Sequence, residues 1–147
     1  MSRRAGFSLV ELMTTVLILG IIASFSAPAV VKALSGWNLH NSRMLMIEEF
    51  KLLRERSVSQ GRALSIWCSP GSSSYFFKNP TTNLWVAAPP LPNRVTFYSV
   101  DFGGLQPYTT DMKPDGTASK AGTVILVNNK GVKDTVAVNL NGWVGQP

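Results

Sequence analysis

Two hydrophobic patterns follow one another along this chain of 147 residues. From Leu12 to Val31 twenty residues pass without a charge. At about 1.5 Å per residue a helix of that length covers ~30 Å, one hydrocarbon thickness. Arg3 and Arg4 stand before it, so the positive-inside bias puts the N-terminus in the cytoplasm and the rest outside it. Pro28 has no N–H to give the Ser24 carbonyl, which predicts a kink or local melting, offset in part by the Ser24 and Ser26 hydroxyls. Beyond it the pattern turns amphipathic. Leu39, Met46, Phe50 and Leu53 recur at spacings of seven, four and three, while Arg43, Glu48, Glu49, Lys51, Arg54 and Glu55 fill the other faces. This predicts that the helix continues into a folded domain and stops at Gly61, with Pro28 and Ser35-Gly36 as the places where it would break.

From Arg62 onward the helical period gives way to short runs bounded by turn residues. Strands are expected over 63–68, 74–78, 84–87 and 94–100, closed in turn by Pro70-Gly71, Asn79-Pro80, Pro89-Pro90 and Gly103-Gly104. Residues 123–127 and 135–140 flank Asn128-Asn129-Lys130-Gly131 and predict a hairpin. One long helix followed by many short strands predicts an α+β protein. Its long N-terminal helix, membrane-embedded in its first half, packs an apolar stripe on a C-terminal antiparallel β-sheet domain.

Charge changes this picture little. The formal net charge is +6, and without Arg3 and Arg4 the balance is 12 basic against 8 acidic residues. The cations are scattered, which is not the footprint of a nucleic-acid-binding face. Cys68 is the only cysteine and His40 the only histidine, which excludes an intramolecular disulfide and a histidine-cluster metal site. Pro114-Asp115-Gly116-Thr117 is good turn chemistry, and Asp111 with Asp115 offers too few oxygens for calcium. Cys68 at a strand end reads as a buried small hydrophobe, His40 as a solvated or hydrogen-bond-satisfied helix residue, and Asp101, Asp111, Asp115 and Asp134 as turn residues. Trp37, Trp67 and Trp85 are expected in the core or an interface. No nucleophile, base or oxyanion pattern is present, so no catalytic residue, cofactor or metal is expected.

Glu11 does not fit an ordinary apolar segment. A carboxylate in a membrane-spanning helix costs on the order of 2.5–3.5 kcal/mol at its centre and less near its end, so it needs a partner. A secretory signal cut near Ser24-Phe25-Ser26 and a plain single-span anchor both leave Glu11 without a purpose. Arg3-Arg4-Ala5-Gly6 followed by Phe7-Ser8-Leu9-Val10-Glu11-Leu12 resembles the type III signal of type IV pilins and type II secretion pseudopilins. The resemblance implies that a prepilin peptidase cuts between Gly6 and Phe7 and methylates the new Phe7 amine, giving N-methylphenylalanine. It also implies that Glu11 pairs with the amine of a neighbouring subunit and sets register in a filament, and that Pro28 is the family's helix-disrupting proline.

Leu52-Leu53-Arg54-Glu55-Arg56-Ser57-Val58-Ser59-Gln60-Gly61 before a strand ending in Cys68 is similar to the start of the GspH/FimT-type domain. Met112-Lys113-Pro114-Asp115-Gly116-Thr117, Gly122-Thr123-Val124-Ile125-Leu126 and the final Asn141-Gly142 are similar to its C-terminal half. The resemblance implies a cleaved leader (1–6), a transmembrane and filament-core helix (7–31), its amphipathic continuation (32–61) and a periplasmic β-rich domain (62–147). It implies a minor pseudopilin of a type II secretion system, single-pass in the bacterial inner membrane, with prepilin peptidase and other pilin subunits as partners. The alternative it leaves is a FimT-like minor pilin of a type IV pilus, acting in assembly or DNA uptake. DNA is not expected as a partner, because the tail Gly142-Trp143-Val144-Gly145-Gln146-Pro147 carries no cation.

Overall fold

The computed structural model describes residues 8–92, 94–104 and 108–147, with the side chains of 25–29 and 32 left aside. The chain divides into two compact units, Met1–Leu34 and Ser35–Pro147. One helix, α1 (Leu9–Gln60), contributes to both. Ser8 caps its start, its Oγ accepting from the Val10 N–H at 3.3 Å. At the other end Gly61 takes φ 63°. The Arg62 N–H then reaches the Ser57 carbonyl at 3.2 Å and the Gly61 N–H reaches Val58 at 3.3 Å. These are the paired bonds of a Schellman closure, which needs a residue free to adopt the left-handed conformation. The break expected near Pro28 or Ser35-Gly36 is not there, since α1 is continuous through both.

In the second unit the predicted stripe is the core-facing side of the helix. Leu39, Met46, Phe50 and Leu53 are all buried, joined by Ile47. They pack on two four-stranded antiparallel sheets rather than one. The first holds β1 (Leu64–Cys68), β2 (Tyr75–Lys78), β3 (Trp85–Ala87) and β5 (Thr109–Met112), in the order β3-β2-β1-β5. The second holds β4 (Val95–Asp101), β6 (Gly122–Asn128), β7 (Lys133–Val138) and β8 (Val144–Gly145), in the order β4-β6-β7-β8. Alternation decides which faces turn inward: Leu64, Ile66 and Cys68 on β1, and Val124 and Leu126 on β6, are buried. The sheets meet at Phe97, whose N–H reaches the Ser72 carbonyl and whose carbonyl accepts from Gly71, both at 2.8 Å. A bulge between Phe97 and Ser99 leaves Tyr98 exposed and returns Val100 to the core.

Two strands, β5 and β8, lie where no strand is expected from the sequence. The aspartates are corrected accordingly. Asp111 sits in β5, Asp134 in β7 and Asp101 at the end of β4, and Asp115 alone keeps the turn position. Trp37 is not a core residue of this chain, being 63% exposed.

Candidate assembly site

Gly6 and Phe7, the expected cleavage and methylation positions, lie outside the described residues. The segment that follows them does not. Ser8 is the cap of α1 and Glu11 its first-turn acid, the Ser-x-x-Glu spacing of a capping box. That spacing was available in the sequence, and it gives Glu11 a local role, since a carboxylate there complements the positive end of the helix dipole. The Glu11 side chain is exposed and has no hydrogen bond or ion pair among the described residues. It is therefore open to an approaching cation.

From Leu9 to Ile22 the large apolar side chains are exposed on every side of the helix. A helix apolar all round is built for burial in other molecules or in lipid. The hydroxyls within it turn back on its own backbone. Thr14 Oγ1 donates to the Val10 carbonyl at 2.7 Å, Thr15 to Leu12 at 2.8 Å and Ser24 to Ile21 at 2.7 Å, so none needs an outside partner. Among the described residues no helix is long and apolar enough to cross a membrane. The charge-free run of the sequence extends through residues 25–29, whose side chains are not described. Pro28 is helical in its backbone, and the surroundings of its ring fall in that same segment.

In the second unit, side chains that the helical pattern assigns to solvent hold distant turns. Arg54 Nε donates to the Gly116 carbonyl at 2.8 Å. The turn it grips is closed by Asp115, whose Oδ1 accepts from the Thr117 hydroxyl at 2.6 Å and its N–H at 2.9 Å. The Thr117 hydroxyl is the main reason the Asp115 carboxyl is held below its ordinary range. Ser57, fully buried, faces the Arg62 carbonyl at 2.8 Å and the Met112 carbonyl at 2.6 Å, tying the helix end to β5. Ser35 Oγ donates to Asn129 Oδ1 at 2.9 Å and anchors the β6–β7 hairpin.

Arg43 Nη1 reaches Gln146 Oε1 at 2.7 Å and the Asp134 carboxylate at 3.4 Å. The C-terminal residues are thus part of the fold: Val144 is buried, β8 pairs with β7, and the Trp143 ring lies over Gly145. His40 is exposed beside Arg43, with Nδ1 3.2 Å from Nη2. Cys68 is buried as expected, and desolvation pushes its thiol up to about 12. Among the described residues no group of three His, Cys, Asp or Glu side chains could hold a metal ion. Arg43, Arg54, Ser57 and Ser35 carry no signal in the sequence, because their partners lie far along the chain.

Two findings bear on what this arrangement is. Residues 1–27 match the prokaryotic N-terminal methylation motif. The minor pseudopilin EpsH from the Type 2 Secretion System of Vibrio cholerae aligns with a TM-score of 0.60 at 12% identity, over 75% of this chain and 96% of its own. The fold is type IV pilin-like. The type IV minor pilin FimU of Pseudomonas aeruginosa aligns with a TM-score of 0.59 at 12% identity, over 74% of this chain and 87% of its own. At such identity the likeness is one of fold. No curated protein sequence matches this one. The matched methylation motif covers the head of α1, where Glu11 stands.

Proposed function

We propose that this pilin-like chain is a structural subunit, a minor pseudopilin of the GspH kind in a type II secretion system that moves proteins across the outer membrane. One observation carries the reading: a methylation motif in residues 1–27 stands in front of a pilin-like fold. Prepilin peptidase removes residues 1–6 and methylates Phe7. Residues 7–31 then anchor the subunit in the inner membrane as a single pass and later pack in the filament core. Residues 32–61 carry the helix into a periplasmic domain, 62–147. The desolvation cost of Glu11 is offset by the Phe7 amine of a neighbouring subunit, which fixes helix register. Pro28 lacks the N–H that would close its turn and is assigned as the helix-kink position. The work is mechanical, so no catalytic residue, cofactor or metal is assigned.

The likeness to FimU supports a second reading, a FimT-like minor pilin of a type IV pilus acting in its assembly. DNA is left out of the proposed partners, because the C-terminal tail carries no cation and is paired in β8.

Mass spectrometry of protein extracted from membranes tests the first step. An N-terminus at methylated Phe7 is expected, and an N-terminus at Ala27 refutes the pilin reading. Glu11→Ala should insert into the membrane yet fail to enter filaments. Normal incorporation of that variant removes the pairing mechanism.

A further inference from the structure

Between the last turns of α1 and the edge of the β3-β2-β1-β5 sheet lies an open cleft of about 430 Å³. Its floor is apolar, made by Leu53, Leu64, Phe77 and Val86. Its rim is basic. Arg56 and Arg62 stand at the helix end, and no Asp or Glu lines it. Lys78 turns to the other face of the sheet, where its Nζ stands 6.0 Å from the Trp85 ring centre. Arg62 Nε donates to Gln60 Oε1 at 3.0 Å, which holds that guanidinium beside the helix. The Arg56 guanidinium is exposed and has no hydrogen bond or ion pair among the described residues.

The cleft opens beside an unpaired strand edge. β3 is the outermost strand of its sheet and exposed at all three positions. The Leu84 carbonyl accepts from Asn79 at 2.8 Å and the Ala88 N–H reaches Tyr75 at 3.0 Å, so both turn toward β2. Alternation then points the N–H and C=O groups of Trp85 and Ala87 away from β2. Val86, opposite Phe77, sends its side chain to the cleft. A strand added along β3 would place every second side chain over that basic rim.

We infer that cleft and edge together bind an extended acidic segment of another protein, in which a carboxylate and an apolar side chain stand two residues apart. The backbone pairs with Trp85 and Ala87, the carboxylate meets Arg56 and Arg62, and the apolar side chain lies on Phe77 and Val86. A second copy of this chain is not that partner. Of the acids in its strands and turns only Asp134 has an apolar side chain two residues away, and Asp134 is paired into β7 against β6 and ion-paired to Arg43. Nucleic acid would use the cations but neither the aliphatic floor nor the strand edge.

The probe is a fluorescent eight-residue peptide alternating Glu and Val, titrated into the full-length protein in detergent. The Glu peptide should bind at least ~10-fold more tightly than its Gln counterpart, with binding weakened as salt rises. Arg56→Ala with Arg62→Ala should weaken it by a similar ~10-fold. Ala87→Pro should weaken it too, because it removes an outward N–H while leaving the β2 pairing in place. On the unsubstituted protein, amide NMR shifts should centre on Arg56, Arg62 and Val86, a readout that needs no variant to fold. Absence of binding at ~1 mM peptide, indifference to the arginine substitutions, shifts centred elsewhere, or oligothymidylate binding in preference to the peptide each overturn the inference.

Discussion

Gly142→Ala is the substitution whose cost the structure defines most closely. Gly142 has φ 77° and closes the turn in which its N–H meets the Asn139 carbonyl at 2.9 Å. A Cβ there would collide with the Gly116 carbonyl oxygen and stand 3.0 Å from Arg54 Nε. That carbonyl is the acceptor for Arg54 at 2.8 Å, so the methyl would disrupt the bond that holds both turns to α1. Left-handed backbone costs a residue with a Cβ about 1–2 kcal/mol. A hydrogen bond from a charged donor is worth about 1.5–3 kcal/mol, giving ~3–5 kcal/mol in all. Gly131 supplies the comparison, with φ 76° and nothing within 4 Å of its would-be Cβ. Gly131→Ala should therefore cost only the backbone share, about 1–2 kcal/mol.

For a unit of about 110 residues (Ser35–Pro147) these costs correspond to melting-temperature losses of ~12–20 °C and ~4–8 °C. Thermal unfolding of the full chain in detergent, followed by tryptophan fluorescence, would read both. A double-mutant cycle of Gly142→Ala with Arg54→Ala should be strongly non-additive, because both changes remove the same bond. Equal losses for the two glycine variants, or additive losses in the cycle, would refute the reasoning.

Arg43→Ala should free the C-terminal tail from Gln146 and Asp134. The expected cost is about 1–2 kcal/mol, seen as faster hydrogen exchange at Val144 and Gly145; unchanged exchange there counts against the latch. Burial pushes the Cys68 thiol up to about 12 from 9.0, so the native thiol should resist iodoacetamide at neutral pH while the unfolded chain reacts. The fold favours the neutral thiol, so this contribution is complete below pH 9.0 and lost as pH rises toward about 12, and native alkylation as fast as unfolded would contradict it. The Asp115 carboxyl is held down chiefly by the Thr117 hydroxyl, so its contribution is present above the unfolded value and lost as pH falls through the lowered one. Thr117→Val should flatten that acid limb of the stability curve, and an unchanged limb would point to another group.

What could be read in advance, and what could not, divides along a physical line. Leu39, Met46, Phe50 and Leu53 announce themselves because apolar burial obeys the period of the helix, and all four are buried. β1 and β6 alternate for the same reason. Glu11 draws notice for a different reason, since a carboxylate at the head of an apolar run contradicts its surroundings, and its pairing role is a proposal. Thr109-Thr110-Asp111-Met112 gives no such signal. Its inward Thr110 is buried only because its hydroxyl donates to the Lys120 carbonyl at 3.0 Å. Val144-Gly145 is too short to show a period, and becomes a strand because β7 is there to pair with it. Arg43 and Arg54 look like solvated helix residues until Gln146 and Gly116, far along the chain, come into reach. A hydrophobic residue states its need locally, because any apolar surface will satisfy it. A polar anchor states nothing locally, because its acceptor is often a backbone carbonyl of the kind every residue carries, and only the completed fold selects which one.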